Sequence, residues 1–390
     1  MSRMTFRAAC SSTTSDAPMP ETARILQFPS RRVGTSPLTR EEARKAANSY
    51  LNLGPEARVE KSRSTYLDDA DILLAICGLL WERSNTCPAD AASEASFLYG
   101  WVVEHFSLVG LFDEQEFFAG EFGLLAGVSF RLLGRREETE RWLDRAEASF
   151  RHTVSPAAHL ARVSYARLTL KYDMRRHEDV LELLPSTART FEKLGMDAEL
   201  SKCRFLEAMS LKELGRIGEA AERLHAIGSA AQADPAIQGM ALVNLGDLRS
   251  SEGRFDVALG LYRDALPFLK TARRLVALAD LKAALGETLR RMGQYASALE
   301  AYRESARDYL TLGMAARTAY LQVVVAETLL ETGRTAEAEL EIRAALPTIE
   351  REKMVPEGFA AIAILNESVR QRKANPKALG ELRQYLQSKN

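Results

Sequence analysis

Apolar residues along most of the chain recur at spacings of three and four, interrupted at short intervals by glycine, proline or polar clusters. That period builds one-sided helices, and no stretch alternates with period two between turn residues, so an all-α chain without strands is predicted. Thr39-Arg40-Glu41-Glu42 has the capping-box pattern, which opens a helix reaching about Leu51. Asp68 and Asp69 favour a helix N-terminus ahead of Ile72, Leu73, Ile76, Leu79 and Leu80. Pro88 suits a first helical position, and its helix should run to about Leu108, with Gly110 as the stop. Asp113-Glu114-Gln115-Glu116 opens a helix that Gly134 closes; Ser155-Pro156 and Asp234-Pro235 open others.

From Gly134 onward the turns recur. Gly134-Arg135, Arg175-Arg176, Gly215-Arg216, Gly253-Arg254, Gly293-Gln294 and Gly333-Arg334 are separated by 41, 40, 38, 40 and 40 residues. Glycine fits a helix end that needs positive φ, so Arg175 predicts a looser or differently capped turn. Residue size repeats too. Gly246, Ala258, Tyr262 and Ala265 reappear as Gly286, Ala298, Tyr302 and Ser305, then as Ala326, Ala338, Ile342 and Ala345. Earlier copies are fainter: Gly127, Thr139, Leu143, Ala146; Ala208, Ala220, Leu224, Ile227; and, faintest, Leu168, Val180, Leu184, Thr187. The small positions let two antiparallel helices approach while the large one fills the space a turn along.

This small–small–large–small spacing resembles the tetratricopeptide repeat over roughly residues 111–353. It departs from the family where early aromatics are expected, having Leu242, Lys282 and Gln322, and its period near 40 is long, as in bacterial regulatory and sensor members. The resemblance implies a right-handed solenoid of antiparallel helix pairs whose ends need caps. Residues 39–110 are expected to form an N-terminal helical cap. Residues 354–390 are expected to form C-terminal capping helices, and polar, proline-containing residues 1–38 a disordered tail. The first helix of each pair would line a groove that takes a partner segment. Carried over position by position, the groove residues are Arg162, Tyr165, Tyr172, Lys202, Phe205 and Lys212 in a basic, aromatic early half. Asp247, Glu287, Arg290 and Glu327 follow in a more acidic late half. Such a gradient suits a bipolar ligand with its carboxylate at the early repeats.

Composition narrows the alternatives. With 52 Lys+Arg against 53 Asp+Glu the net charge is −1, which removes the global attraction to phosphate of a dedicated nucleic-acid binder. The longest clean apolar run, Ile72 to Trp81, is about half a bilayer span, so no membrane segment is predicted, and no secretory signal is recognised. Four cysteines without a C-x-x-C pair suit a reducing cytoplasm. No phosphate-cradling glycine loop appears, and the five histidines form no H-x-x-x-H pair. The expectation is therefore a cytoplasmic, non-enzymatic adaptor or regulator without cofactor or metal, binding a protein or peptide. A peptide or small-ligand sensor that switches a partner through solenoid curvature is the alternative.

Overall fold

The computed structural model describes residues 38–62, 67, 69–84, 86–105, 112–230, 233–351, 380 and 384. The tail expected over residues 1–38, apart from Leu38, the helix stop at Gly110 and most of the C-terminal cap lie outside them. Sixteen helices and no strand occur among the described residues. The first four are α1 (Arg40–Leu51), α2 (Pro55–Ser62), α3 (Ala70–Ser84) and α4 (Pro88–His105). Six pairs follow: α5 (Phe112–Leu132) with α6 (Arg136–Phe150), α7 (Pro156–Asp173) with α8 (His177–Lys193), and α9 (Asp197–Glu213) with α10 (Ile217–Gly228). Then come α11 (Pro235–Ser251) with α12 (Phe255–Thr271), α13 (Leu275–Arg291) with α14 (Tyr295–Thr311), and α15 (Ala315–Glu331) with α16 (Thr335–Arg351).

Local signals act where the sequence places them. Thr39 and Glu42 form the reciprocal capping box of α1. Asp69 Oδ1 accepts from the Asp71 and Ile72 amides ahead of α3, and Asp234 caps α11 through the Ala236 and Ile237 amides. Ser155 makes no side-chain cap for α7, whose start rests on Pro156. Helix α2 was not foreseen, because Val59 is its one large aliphatic side chain. It is fastened by polar contacts: Arg58 donates to the Leu51 and Leu53 carbonyls at the end of α1 and pairs with the buried Glu94 of α4.

The long period has a simple origin. From α12 to α16 every helix has 17 residues and every connection is a three-residue turn, so each pair advances the chain by about forty. The 38-residue interval arises because α10 has only 12 residues, partly offset by a longer connection to α11. Each helix-pair turn closes the same way. Gly293 and Gln294 donate to the Arg290 and Leu289 carbonyls at 2.9 Å, with Gly293 at φ 74°. The expectation of a looser turn at Arg175 is overturned. Arg175 adopts φ 59° and donates to Tyr172 at 2.9 Å, while Arg176 donates to Lys171 at 3.0 Å. The bonded frame imposes the left-handed conformation on a residue that carries a Cβ.

Between the helices of a pair, the small positions do what their size permits. A Cβ on Gly246 would lie 2.4 Å from the Tyr262 ring, and one on Gly286 2.7 Å from Tyr302. Ala258, Ala265, Ala298 and Ser305 are fully buried alongside. The first (A) helices of successive pairs touch one another from α5 to α13, whereas no two second (B) helices come into comparable contact among the described residues. The A helices therefore form the inner side of the stack and the B helices the splayed outer side. At the N-terminal end, α1, α3, α4 and α5 share one apolar core, to which Trp101 adds an indole N–H bond of 2.9 Å to the Ser62 carbonyl.

Candidate partner-binding groove

The inner face is made by residues recurring every three or four along each A helix. On α9 these are Lys202, Phe205, Met209 and Lys212, all half-buried. The neighbouring A helix contributes half-buried Tyr165 and Tyr172. The Tyr165 hydroxyl sits 3.5 Å from the Lys202 carbonyl, and the Tyr172 ring packs edge-on to His177 at 4.9 Å. Burial pushes the Tyr172 phenol up to about 12, with the Glu213 and Asp173 carboxylates adding to it, and burial likewise raises Tyr165. Both hydroxyls are therefore protonated donors at neutral pH. Lys202 has an ion-pair contact of 3.7 Å with Glu199, and Lys212 Nζ donates to Asn244 at 3.1 Å across to α11. Phe205 packs beside the core of the third and fourth pairs.

Other residues expected in the groove are committed to the fold. Arg162 has its side chain only 12% exposed and pairs with both carboxylate oxygens of buried Glu121 on α5. His159 Nδ1 stands 3.6 Å from Glu121, and the Cys77 thiol 3.9 Å. Burial alone would raise Glu121; the Arg162 charge, together with the His159 and Arg162 side-chain contacts, outweighs it and holds the carboxyl down to about 2. Arg162 therefore locks α5 to α7 and is no surface cation. Asp247 accepts from the Tyr262 hydroxyl at 2.7 Å; the hydroxyl also lies 3.2 Å from Thr288 Oγ1, which donates to Ser250 at 2.9 Å. Glu287 accepts from Tyr302 at 2.7 Å and pairs with Arg290 and Arg291, while Arg290 reaches Glu331 on α15 at 2.7 Å. Glu327 is buried beside Gly380.

These contacts correct the expected charge gradient. The late acidic groups are compensated within the array: Glu287 by two arginines, and Asp280 of α13 by Arg317 of α15 at 2.6 Å. The structure brings Tyr165, Tyr172, Lys202, Phe205 and Lys212 to the accessible inner face. It spends Arg162, Asp247, Glu287 and Arg290 on joining helices. A signal for this existed in the sequence. Charge partners on successive A helices recur at about the repeat period, as in Glu121–Arg162, Arg131–Asp173, Arg290–Glu331 and Asp280–Arg317. Reading charge along each helix alone hides pairs that meet one repeat apart.

No family model and no curated protein matches the chain. Solved structures do. In the crystal structure of the APC/C hetero-tetramer Cut9–Hcn1, the match has a TM-score of 0.52 at 16% identity and covers 85% of this chain and 63% of that one. This is a tetratricopeptide-type helical-repeat fold. RapI in its apo form matches with a TM-score of 0.48 at 14% identity, covering 70% of this chain and 94% of that one. Aspartyl phosphate phosphatase F from Bacillus subtilis matches with a TM-score of 0.48 at 12% identity, covering 87% and 97%.

Within the tetratricopeptide-type array the chemistry-bearing groups stay dispersed. Among the described residues no three His, Cys, Asp or Glu side chains assemble as a metal site, and no helix is long and apolar enough to cross a membrane. Cys77 and Cys203 are buried thiols, with Cys203 pushed up to about 12 by burial, which keeps it protonated and unreactive.

Proposed function

We propose that the chain is a non-enzymatic regulatory adaptor of the cytoplasm that binds a segment of a partner protein along the inner face of its A helices. The observation that carries this reading is the strip Tyr165, Tyr172, Lys202, Phe205 and Lys212. It combines two protonated phenols, an aromatic ring and two ammonium groups, all half-buried, along two neighbouring A helices. Phenols and a phenyl ring offer apolar area with little rotamer entropy to lose, and the lysines add attraction for carboxylates. That combination suits an extended or helical segment with an acidic end near α9.

Because Arg162 is structural, the test leaves it alone. Affinity capture from host lysate with the wild-type chain and with Lys202→Glu/Lys212→Glu should yield a stoichiometric protein that the variant loses while keeping its helical circular dichroism. Equal capture by both would refute the groove assignment. A retained peptide or metabolite in native mass spectra, with no protein, would replace the adaptor by the sensor.

A further inference from the structure

Leu200, Arg204 and Glu207 lie on α9 at successive steps of four and three, opposite the stripe formed by Lys202, Phe205, Met209 and Lys212. They floor a cleft of about 300 Å³ on the outer side, whose wall is Leu184, Pro185, Ala188 and Arg189 of α8. Volume of that order is at the small end for ligand sites and holds one or two side chains. Arg189 and Arg204 are both exposed, and neither makes an ion pair among the described residues. Glu207 is taken by Arg223 of α10 at 3.1 Å, and Glu192 lies along the same lining as Arg189.

The repeat register shows why Arg204 has no counter-charge. It stands eleven residues before Gly215, as Lys282 stands eleven before Gly293. Lys282 is held by Glu304 and Asp308 of its own B helix at 3.2 and 2.9 Å. The positions matching those carboxylates are Ala226 and Ala230, and α10 ends at Gly228. A cation at this register position, with alanines in place of carboxylates on its own B helix, faces the cleft beside a second arginine. Pro185 also brings no N–H to α8, so the Leu181 carbonyl loses its ordinary donor at the same wall.

From this we infer a second interaction site, independent of the inner groove: the α8–α9 cleft docks an acidic–aliphatic segment of a protein partner. Its carboxylate sits between Arg189 and Arg204 and its aliphatic side chain against Leu184, Pro185, Ala188 and Leu200. Two guanidinium groups favour a planar carboxylate, and the apolar wall beside them selects a Leu or Ile neighbour.

Fluorescein-labelled helical peptides carrying Leu and Glu four residues apart, or Leu and Lys in the same frame, are titrated against the full chain by anisotropy. The Leu/Glu peptide is expected to bind at least about tenfold tighter than Leu/Lys. Binding should be lost in Arg204→Glu and in Ala226→Glu, and kept in Lys202→Glu/Lys212→Glu. Ala226→Glu restores the missing clamp at an exposed helical position, so it decides the matter even if Arg204→Glu fails to fold. No binding, equal binding of both peptides, or full binding by Ala226→Glu would overturn the cleft site. Loss confined to the lysine variant would assign the peptide to the inner groove and likewise overturn it.

Discussion

At Arg175 and Arg273 the chain holds a Cβ-bearing residue at φ 59° and 50°, where the matching turns have glycine. Left-handed backbone costs an L-residue about 1–2 kcal/mol, part of which glycine forfeits through its greater freedom when unfolded. Arg175→Gly is therefore expected to stabilise the protein by about 0.5–1 kcal/mol, and Gly253→Ala, at φ 76°, to destabilise it by about 1 kcal/mol, both read by scanning calorimetry. An unchanged midpoint in both would mean the turns do not carry the strain assigned to them. Contact distance governs a different glycine. At Gly246 a methyl group would meet the Tyr262 ring at 2.4 Å, and that ring is held by Asp247. Gly246→Ala should cost about 1–3 kcal/mol through overpacking. Tyr262→Phe removes no volume from the ring and should cost about 1–2 kcal/mol by leaving Asp247 and Thr288 without their shared hydroxyl.

Helices are joined by pairs whose behaviour with pH can be worked out. Glu121 on α5 has its carboxyl held at about 2 against an ordinary 4.5, so its charged form stabilises the folded chain. The difference corresponds to about 3 kcal/mol, present in full above about pH 5 and lost as pH falls through the folded value near 2. Glu121→Gln leaves Arg162 largely buried without its carboxylate and is expected to cost about 3 kcal/mol or more at pH 7. The gap from wild type should narrow steadily between pH 5 and pH 2; parallel curves of midpoint against pH would refute it. The same pair shows how far the sequence could be read. Cap residues, turn glycines and the small–large alternation act between neighbours in the chain, so Thr39, Asp234, Gly293 and the Gly246–Tyr262 contact were all legible. Arg162 was legible as a groove position by register but not as a largely buried ion, because its partner lies on α5, 41 residues earlier. Helix α2 escaped for the converse reason: its anchor, Arg58, is polar and its partner Glu94 is on α4.

Over the whole array, stability is close to a sum of helix-pair terms and contacts between neighbouring pairs, so one weak pair becomes the place where the stack opens. The links between successive A helices are unevenly supplied. Arg162–Glu121 and Arg131–Asp173 join α5 to α7, and Arg290–Glu331 and Arg317–Asp280 join α13 to α15. Between α9 and α11 the side-chain link is a hydrogen bond, Lys212 to Asn244, with no ion pair among the described residues. There too the B helix is short: α10 has 12 residues against 17 in α8 and α12. The third pair is thus the seam of the solenoid. In hydrogen-exchange mass spectrometry, peptides from α10 should exchange sooner than peptides from α8, α12 or α14, by about tenfold for each 1.4 kcal/mol of lower opening energy. A partner bound along the proposed strip on α7 and α9 would slow exchange in α10 without touching it. Uniform protection from α8 to α14 in the unbound chain would show that short length and sparse links do not localise opening. The third pair would then be as firmly held as the rest.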